Sequence, residues 1–186
     1  NKLNSLGGYS IIRNKKDKII VDFGPTPEKR YSADYQSGAL SFEIFHEKEK
    51  LITNCGYFQN YNHKLNILSK STAAHSTLSI DDRSSCKFKK DKLGYFTLEN
   101  TMKISNKKVY HDDETWEIQG THDGYFREYG ILHERNIKFF TKEFKYIGED
   151  IIICKKNFRK VGFDIRFHLL PDTNAIKTQD KQSILL

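Results

Sequence analysis

Residues 9–25 read Y-S-I-I-R-N-K-K-D-K-I-I-V-D-F-G-P. Two runs rich in β-branched residues, 9–12 and 18–22, flank the turn-forming cluster Asn14, Lys15, Lys16 and Asp17. β-Branched side chains suit a pleated surface, and Asn and Asp suit a tight turn. The stretch therefore reads as an antiparallel hairpin. Phe23-Gly24-Pro25-Thr26-Pro27 then stops the second strand, because proline cannot donate to a ladder. The same layout recurs outward. Segments 39–45 and 50–54 make a second hairpin, and strand-like runs follow at 76–80, 94–99, 114–119, 135–140, 146–154 and 162–169, with a last one at 175–178. Helical periodicity is nearly absent. Short strands at regular spacing without intervening helices predict an all-β chain: a layered antiparallel β-sandwich with few or no helices. Residues 56–71 read as a long polar and aromatic loop with one helical turn near 63–68, and 121–130 as loop. No linker or repeat divides the chain, so 1–186 reads as one domain.

Hydrophobic residues make up 37% and aromatics 13%, enough to build a core and to exclude a disordered chain. The longest apolar runs, such as 151–154, are too short to span a bilayer. The formal charge of +7 makes anionic partners plausible, but the lysines are scattered (Lys15, Lys16, Lys18; Lys87, Lys89, Lys90; Lys107, Lys108; Lys155, Lys156) and read as solvated edges and turns. There is no nucleic-acid-binding motif and no basic helix, so neither nucleic acid nor a membrane is expected as partner. Three cysteines at long spacing, Cys55, Cys86 and Cys154, form neither a disulfide scaffold nor a thiolate zinc site. They read as free, mostly buried thiols, favouring cytoplasm over periplasm. Residues 1–4 carry no start methionine or signal-peptide layout, and 183–186 stop in a strand-like run. Both ends read as cut from a longer protein, with the last strands truncated.

More specific stretches follow one another along the chain: I-V-D-F-G-P at 20–25, G-A-L-S-F-E at 38–43, L-I-T-N-C-G at 51–56, S-T-A-A-H-S-T-L at 71–78 and T-H-D-G-Y at 121–125. Then come I-L-H-E-R at 131–135, I-G-E-D at 147–150 and I-R-F-H-L at 165–169. In this order they resemble the C-terminal β-domain of the heparinase II/III-like polysaccharide lyases, over nearly the whole chain. The resemblance implies a supersandwich-like β-domain set against an N-terminal α/α toroid of the same chain, with the active cleft between them. It implies β-elimination of a uronic-acid-containing, acidic polysaccharide, such as a glycosaminoglycan, by a bacterial parent enzyme, with this fragment inactive alone. The chemistry needs a donor that neutralises the uronate carboxylate, and a His or Tyr that removes the C5 proton. Several relatives also hold zinc in the β-domain on histidine and aspartate.

Aligned through Leu40-Ser41-Phe42, the HxHxD positions of catalytic relatives fall on Asp34, Gln36 and Gly38. Glutamine can hydrogen-bond a sugar but is neither a general base near neutrality nor a good zinc ligand. Tyr35 and Asp34 are the neighbouring groups able to substitute. Asn54 falls where metal-binding relatives place an aspartate, and His75 aligns with their ligand histidine. Gln36, Asn54 and His75 thus read as a degenerate metal set, no cofactor is expected, and a non-catalytic carbohydrate-binding or structural domain on the same fold stands as the alternative to a lyase. The resemblance makes Gln36, Tyr35 and His75 the catalytic candidates. His75 equally reads as a structural histidine fixing its loop. His122 and Tyr125, on a glycine-bearing turn, read either as sugar-groove residues or as a buried turn. His133 and Arg135 alternate with Ile131 on one strand face. They read as a charge-paired interior layer with Glu149-Asp150, Arg166 and His168, or else as a polysaccharide-facing patch. Trp116 reads as core; His46, His63 and His111 read as exposed.

Overall fold

A computed structural model describes residues 2–155 and 160–186; Lys156 lies outside them. The first sheet contains β1 (Lys2–Leu6), β2 (Tyr9–Arg13), β3 (Asp17–Asp22), β4 (Phe42–His46) and β5 (Glu49–Ile52), antiparallel in sequence order. The 9–25 stretch is the β2–β3 hairpin: Tyr9 pairs with Asp22 and Arg13 with Lys18. Asn14 closes it, its Oδ1 accepting the amides of Lys16 and Asp17. After β5 come α1 (Lys64–Lys70), β6 (Leu78–Ile80), β7 (Phe88–Lys90) and β8 (Phe96–Leu98). The second large sheet draws on β9 (Ile104–His111), β10 (Thr115–His122), β11 (Ile131–Phe140) and β12 (Lys145–Cys154), in the order β12-β11-β10-β9, with α2 (Phe126–Tyr129) between β10 and β11. The short strands β13 (Phe163–Ile165), β14 (Ile176–Lys177) and β15 (Ile184–Leu185) complete the described chain, and β13 pairs with β6.

Strict alternation builds the interior. Ile12, Ile19, Val21, Phe42 and Ile44 from the first sheet meet Trp116, Ile118, Ile137 and Phe139 from the second in one buried cluster. This is sheet-on-sheet packing, and each fully buried large side chain contributes about 1.5–3 kcal/mol. A second cluster joins Leu78 and Ile80 to Tyr125 and Ile131. The all-β reading holds, with α-helix confined, among the described residues, to two short segments.

Several details depart from the sequence reading. The helical turn near 63–68 is the longer α1, whose N-terminus is capped by His63 accepting the Leu65 amide. The 121–130 stretch is not all loop: β10 continues to His122, which pairs with both Ile104 and His133, and α2 follows. β9 was not foreseen, because its residues are mostly solvent-facing and lack apolar alternation. Cys86 is buried but Cys55 and Cys154 are exposed, so the thiols are not mostly buried. His46 is not simply exposed: its Nδ1 lies 2.7 Å from Asp17 Oδ1 and its ring 4.0 Å from that of Phe144. Among the described residues no helix is long and apolar enough to cross a membrane.

Candidate functional site

A cleft of about 530 Å³ opens over the solvent face of the first sheet. Gln36, Asn54 and His75 all line it, together with Tyr35, Asp34, Tyr9, Asp22, Glu43 and Lys50. The three positions singled out from sequence are therefore brought to one place, although the first and last lie 39 positions apart.

Each is held by backbone. Gln36 Nε2 donates to the carbonyls of Gly56 (3.0 Å) and Ser69 (2.9 Å). Asn54 Oδ1 accepts the Ser76 amide at 2.8 Å, and the Asn54 amide donates to Glu43 Oε1. Glu43 Oε2 in turn pairs with Lys50 at 2.8 Å. His75 Nδ1 lies 2.8 Å from the Ser71 carbonyl, which only accepts, so the imidazole proton sits on Nδ1. Nε2 then keeps its lone pair, with no hydrogen-bond partner among the described residues. Burial lowers the His75 pKa, opposed by the Ser71 bond and reinforced by His168, so the ring is neutral at pH 7. A neutral imidazole with a fixed tautomer can accept a proton at Nε2. Gly38 matters here for its missing side chain: a Cβ would stand 2.6 Å from His75 Cδ2 and 3.1 Å from Nε2.

Zinc does not fit this set. Asn54 Oδ1 is already bonded to backbone, Gln36 presents its donor end to two carbonyls, and neither brings charge, so His75 Nε2 is the one good ligand the three residues offer. Among the described residues no group of three His, Cys, Asp or Glu side chains is placed to hold a metal ion.

Tyr35 lines the cleft but buries its hydroxyl, and burial raises its pKa far above the ordinary phenol range. Asp34 accepts the hydroxyls of Tyr57 (3.0 Å) and Tyr61 (2.8 Å). Behind them Lys70 is fully buried, its ammonium donating to the carbonyls of Ala33 and Phe96.

His122, Tyr125, His133 and Arg135 are all buried. They form the floor under the cleft loops. The Gly124 amide donates to His122 Nδ1 (3.1 Å), which puts the His122 proton on Nε2. That nitrogen donates to His133 Nδ1 (3.0 Å), and His133 Nε2–H donates to Asp150 Oδ1 (2.6 Å). Arg135 reaches Asp150 twice, through Nε (2.7 Å) and Nη2 (2.9 Å), and its Nη1 donates to the carbonyls of Leu40 and Ser76. Burial alone would raise Asp150, but the bonds from His133 and Arg135 outweigh it and hold the carboxyl down at about 2. Tyr125 donates toward the carbonyls of Leu78 and Arg83. This is a charge-paired interior layer, built with Asp150 and without three expected members. Glu149 is exposed on the opposite strand face; Arg166 bonds Ser79 and pairs weakly with Asp82 and Asp164; His168 joins Cys55 and the Ala73 carbonyl.

The sequence reading passed over Tyr9, Asp22, Glu43 and Lys50 as site residues. They come from four different strands, and only register brings them together. The one available signal was Asp22, a carboxylate two residues beyond Ile20 on the same strand face.

Fold and cleft define the class: a layered antiparallel β-domain with a polar cleft, lined in part by Tyr9 and Tyr35, on one face. The chain belongs to the heparinase II/III-like family as its C-terminal domain, whose family model matches residues 3–186. Among curated proteins it is similar to FtsZ-localized protein C of Caulobacter vibrioides, at 29% identity over 193 residues, covering 96% of this chain and 32% of that protein. The heparan sulfate lyase HepC of Pedobacter heparinus shares its fold, with a TM-score of 0.71 at 18% identity, covering 96% of this chain and 25% of that one. A heparinase III gene product aligns with a TM-score of 0.73 at 14% identity, over 99% of this chain and 26% of that one. The chain spans about a third of the curated relative and a quarter of these solved structures.

Proposed function

We propose that this chain forms one wall of a cleft for an acidic, uronic-acid-containing polysaccharide, and that the longer protein cleaves it by β-elimination. The observation that carries this reading is the convergence of Gln36, Asn54 and His75 on a single cleft of about 530 Å³. In this reading the chain is one domain facing an N-terminal α/α toroid of the same protein. His75 Nε2 is the proton acceptor within the cleft, and Tyr35 and Gln36 shape the wall around the sugar. No metal takes part. The chain alone is inactive, because the remaining groups come from the toroid.

A second reading is binding without cleavage. It is favoured by Gln36 and Asn54, which are committed to backbone hydrogen bonds and offer no base. The name of the curated relative, FtsZ-localized, also describes a location and not a reaction. One experiment separates the two. The full-length protein and its His75→Ala variant are incubated with heparin, heparan sulfate and alginate, and the absorbance of unsaturated uronate is followed. A rise with wild type that falls at least tenfold in the variant supports the lyase. Binding of a polysaccharide without any rise leaves the binding domain. Neither binding nor a rise overturns both.

A further inference from the structure

The cleft contains a carboxyl group that the lyase reading does not use. Asp22 ends β3 directly opposite Tyr9 of β2, and Ile20, on the same strand face, is the register partner of Glu43 on β4. Tyr9, Asp22 and Glu43 therefore share one sheet face and line the cleft together. Asp22 is rigidly held. Its amide donates to the Ser41 carbonyl and its carbonyl accepts the Leu40 amide, both at 2.9 Å. Its Oδ1 accepts the Gly24 amide at 2.9 Å. That amide is in place because two glycines touch: a Cβ on Gly8, whose φ is +91°, would lie 2.5 Å from Gly24 Cα. Among the described residues Oδ2 has no hydrogen-bond partner.

Resting on the polysaccharide reading above, we propose that Asp22 recognises the carboxylate of a uronate residue through a shared proton. The neutral Asp22 carboxylic acid donates from Oδ2 to the sugar carboxylate, which stays ionised. The heavy-atom bonds are unchanged; with the Asp22 carboxyl near 7, about half a proton is taken up per binding event at neutral pH.

The surroundings suit a neutral acid. Burial raises the Asp22 carboxyl to about 7, against the Gly24 bond and the Lys107 charge, whose ammonium is turned to the Phe23 carbonyl. Two carboxylates sharing a site raise one pKa further, so the ligand itself favours the protonated form. The other charged or titratable groups of the cleft are Tyr9, Tyr35, Asp34, Glu43, Lys50 and His75. Burial raises both tyrosines, which keeps them neutral, and His75 is neutral. Asp34 is hydrogen-bonded by two tyrosines and Glu43 by Asn54 and Lys50.

The test is calorimetric titration of the chain with a heparan sulfate hexasaccharide, beside its carboxyl-reduced counterpart. Only protonated Asp22 binds, so affinity scales with its population and weakens roughly 30-fold from about pH 6 to about pH 8.5. Asp22→Asn keeps a donor but cannot titrate. It is expected to retain the affinity seen near pH 6 and to vary less than about threefold over that range. A wild-type pH slope preserved in Asp22→Asn overturns the proposal while leaving the polysaccharide reading intact. Absence of wild-type binding at either pH overturns the proposal, and absence with the full-length protein as well overturns the polysaccharide reading. Should the variant fail to fold, carbon-detected NMR of the Asp22 carboxyl in the wild type decides: its midpoint must rise when the hexasaccharide is added, and an unmoved midpoint in a bound complex overturns the proposal.

Discussion

Replacing Asp150 by asparagine should destabilise the chain severely and loosen the cleft above it. Asp150 and Arg135 are 7% and 3% exposed at their side chains, so solvent screens their pairing little. Lowering the carboxyl from 3.8 to about 2 corresponds to about 2–3 kcal/mol of native-state preference for the ionised form. Asp150→Asn removes that contribution and also leaves the Arg135 guanidinium buried without a counter-charge. Breaking a buried pair in this way costs about 3–5 kcal/mol. For a chain of this length each kcal/mol shifts the melting temperature by about 2–4 °C, so a fall of roughly 10 °C is expected. Because Arg135 also ties down the Leu40 and Ser76 carbonyls, the amide NMR signals of 38–41 and 75–77 should shift as well. Urea denaturation at pH 7 measures the cost. A loss below about 1 kcal/mol, or cleft-loop signals that do not move, would refute the idea that this network supports the cleft.

Further outcomes follow from the same geometry. In wild type the Asp150 contribution is complete above the ordinary aspartate range and is lost as pH falls through about 2. His122 and His133 act sooner. Burial lowers both pKa values in the fold, so protons bind the unfolded chain first, and stability drops as pH falls below about 6.5. The difference between the urea midpoints at pH 7.5 and 5.5 should change in His122→Gln/His133→Gln, which keeps only the contributions of His75 and, with opposite sign, Asp22; a difference equal to that of wild type would count against neutral His122 and His133. Gly38→Ala should cost about 1–3 kcal/mol in thermal unfolding and displace the His75 ring resonances, since the new methyl group overlaps Cδ2. An unchanged His75 spectrum would show that ring and glycine are not in contact. Elemental analysis of the purified chain dialysed against zinc should find far less than one ion per chain, and stoichiometric zinc would contradict the bonding assigned to Gln36 and Asn54.

What the sequence discloses depends on whether a feature is carried along one strand or across several. The β2–β3 hairpin is legible because its turn residues and β-branched runs are contiguous. The inward face of β11, where Ile131, His133, Arg135, Ile137 and Phe139 alternate, is legible for the same reason, as is buried Trp116. β9 is not, because a strand whose face is mostly solvated needs no apolar period. The candidate site was half legible. Gln36, Asn54 and His75 stand out through family motifs, and the structure brings them to one cleft. Asp22, Tyr9, Glu43 and Lys50 join them only through pairing register, which no single segment encodes. Asp150 as the carboxylate partner of His133 and Arg135 is likewise a matter of register: Arg135 faces Asp150, while Glu149 faces outward beside Asn136.

The most direct measurement is an amide and side-chain NMR titration of the chain with a heparan sulfate hexasaccharide. Shifts concentrated at Asp22, Gln36, Asn54 and His75, with the buried His122–His133–Asp150 network undisturbed, are the expected result. Saturable shifts confined to other surfaces, or no shifts at any concentration, would contradict the assignment of this cleft to an acidic polysaccharide.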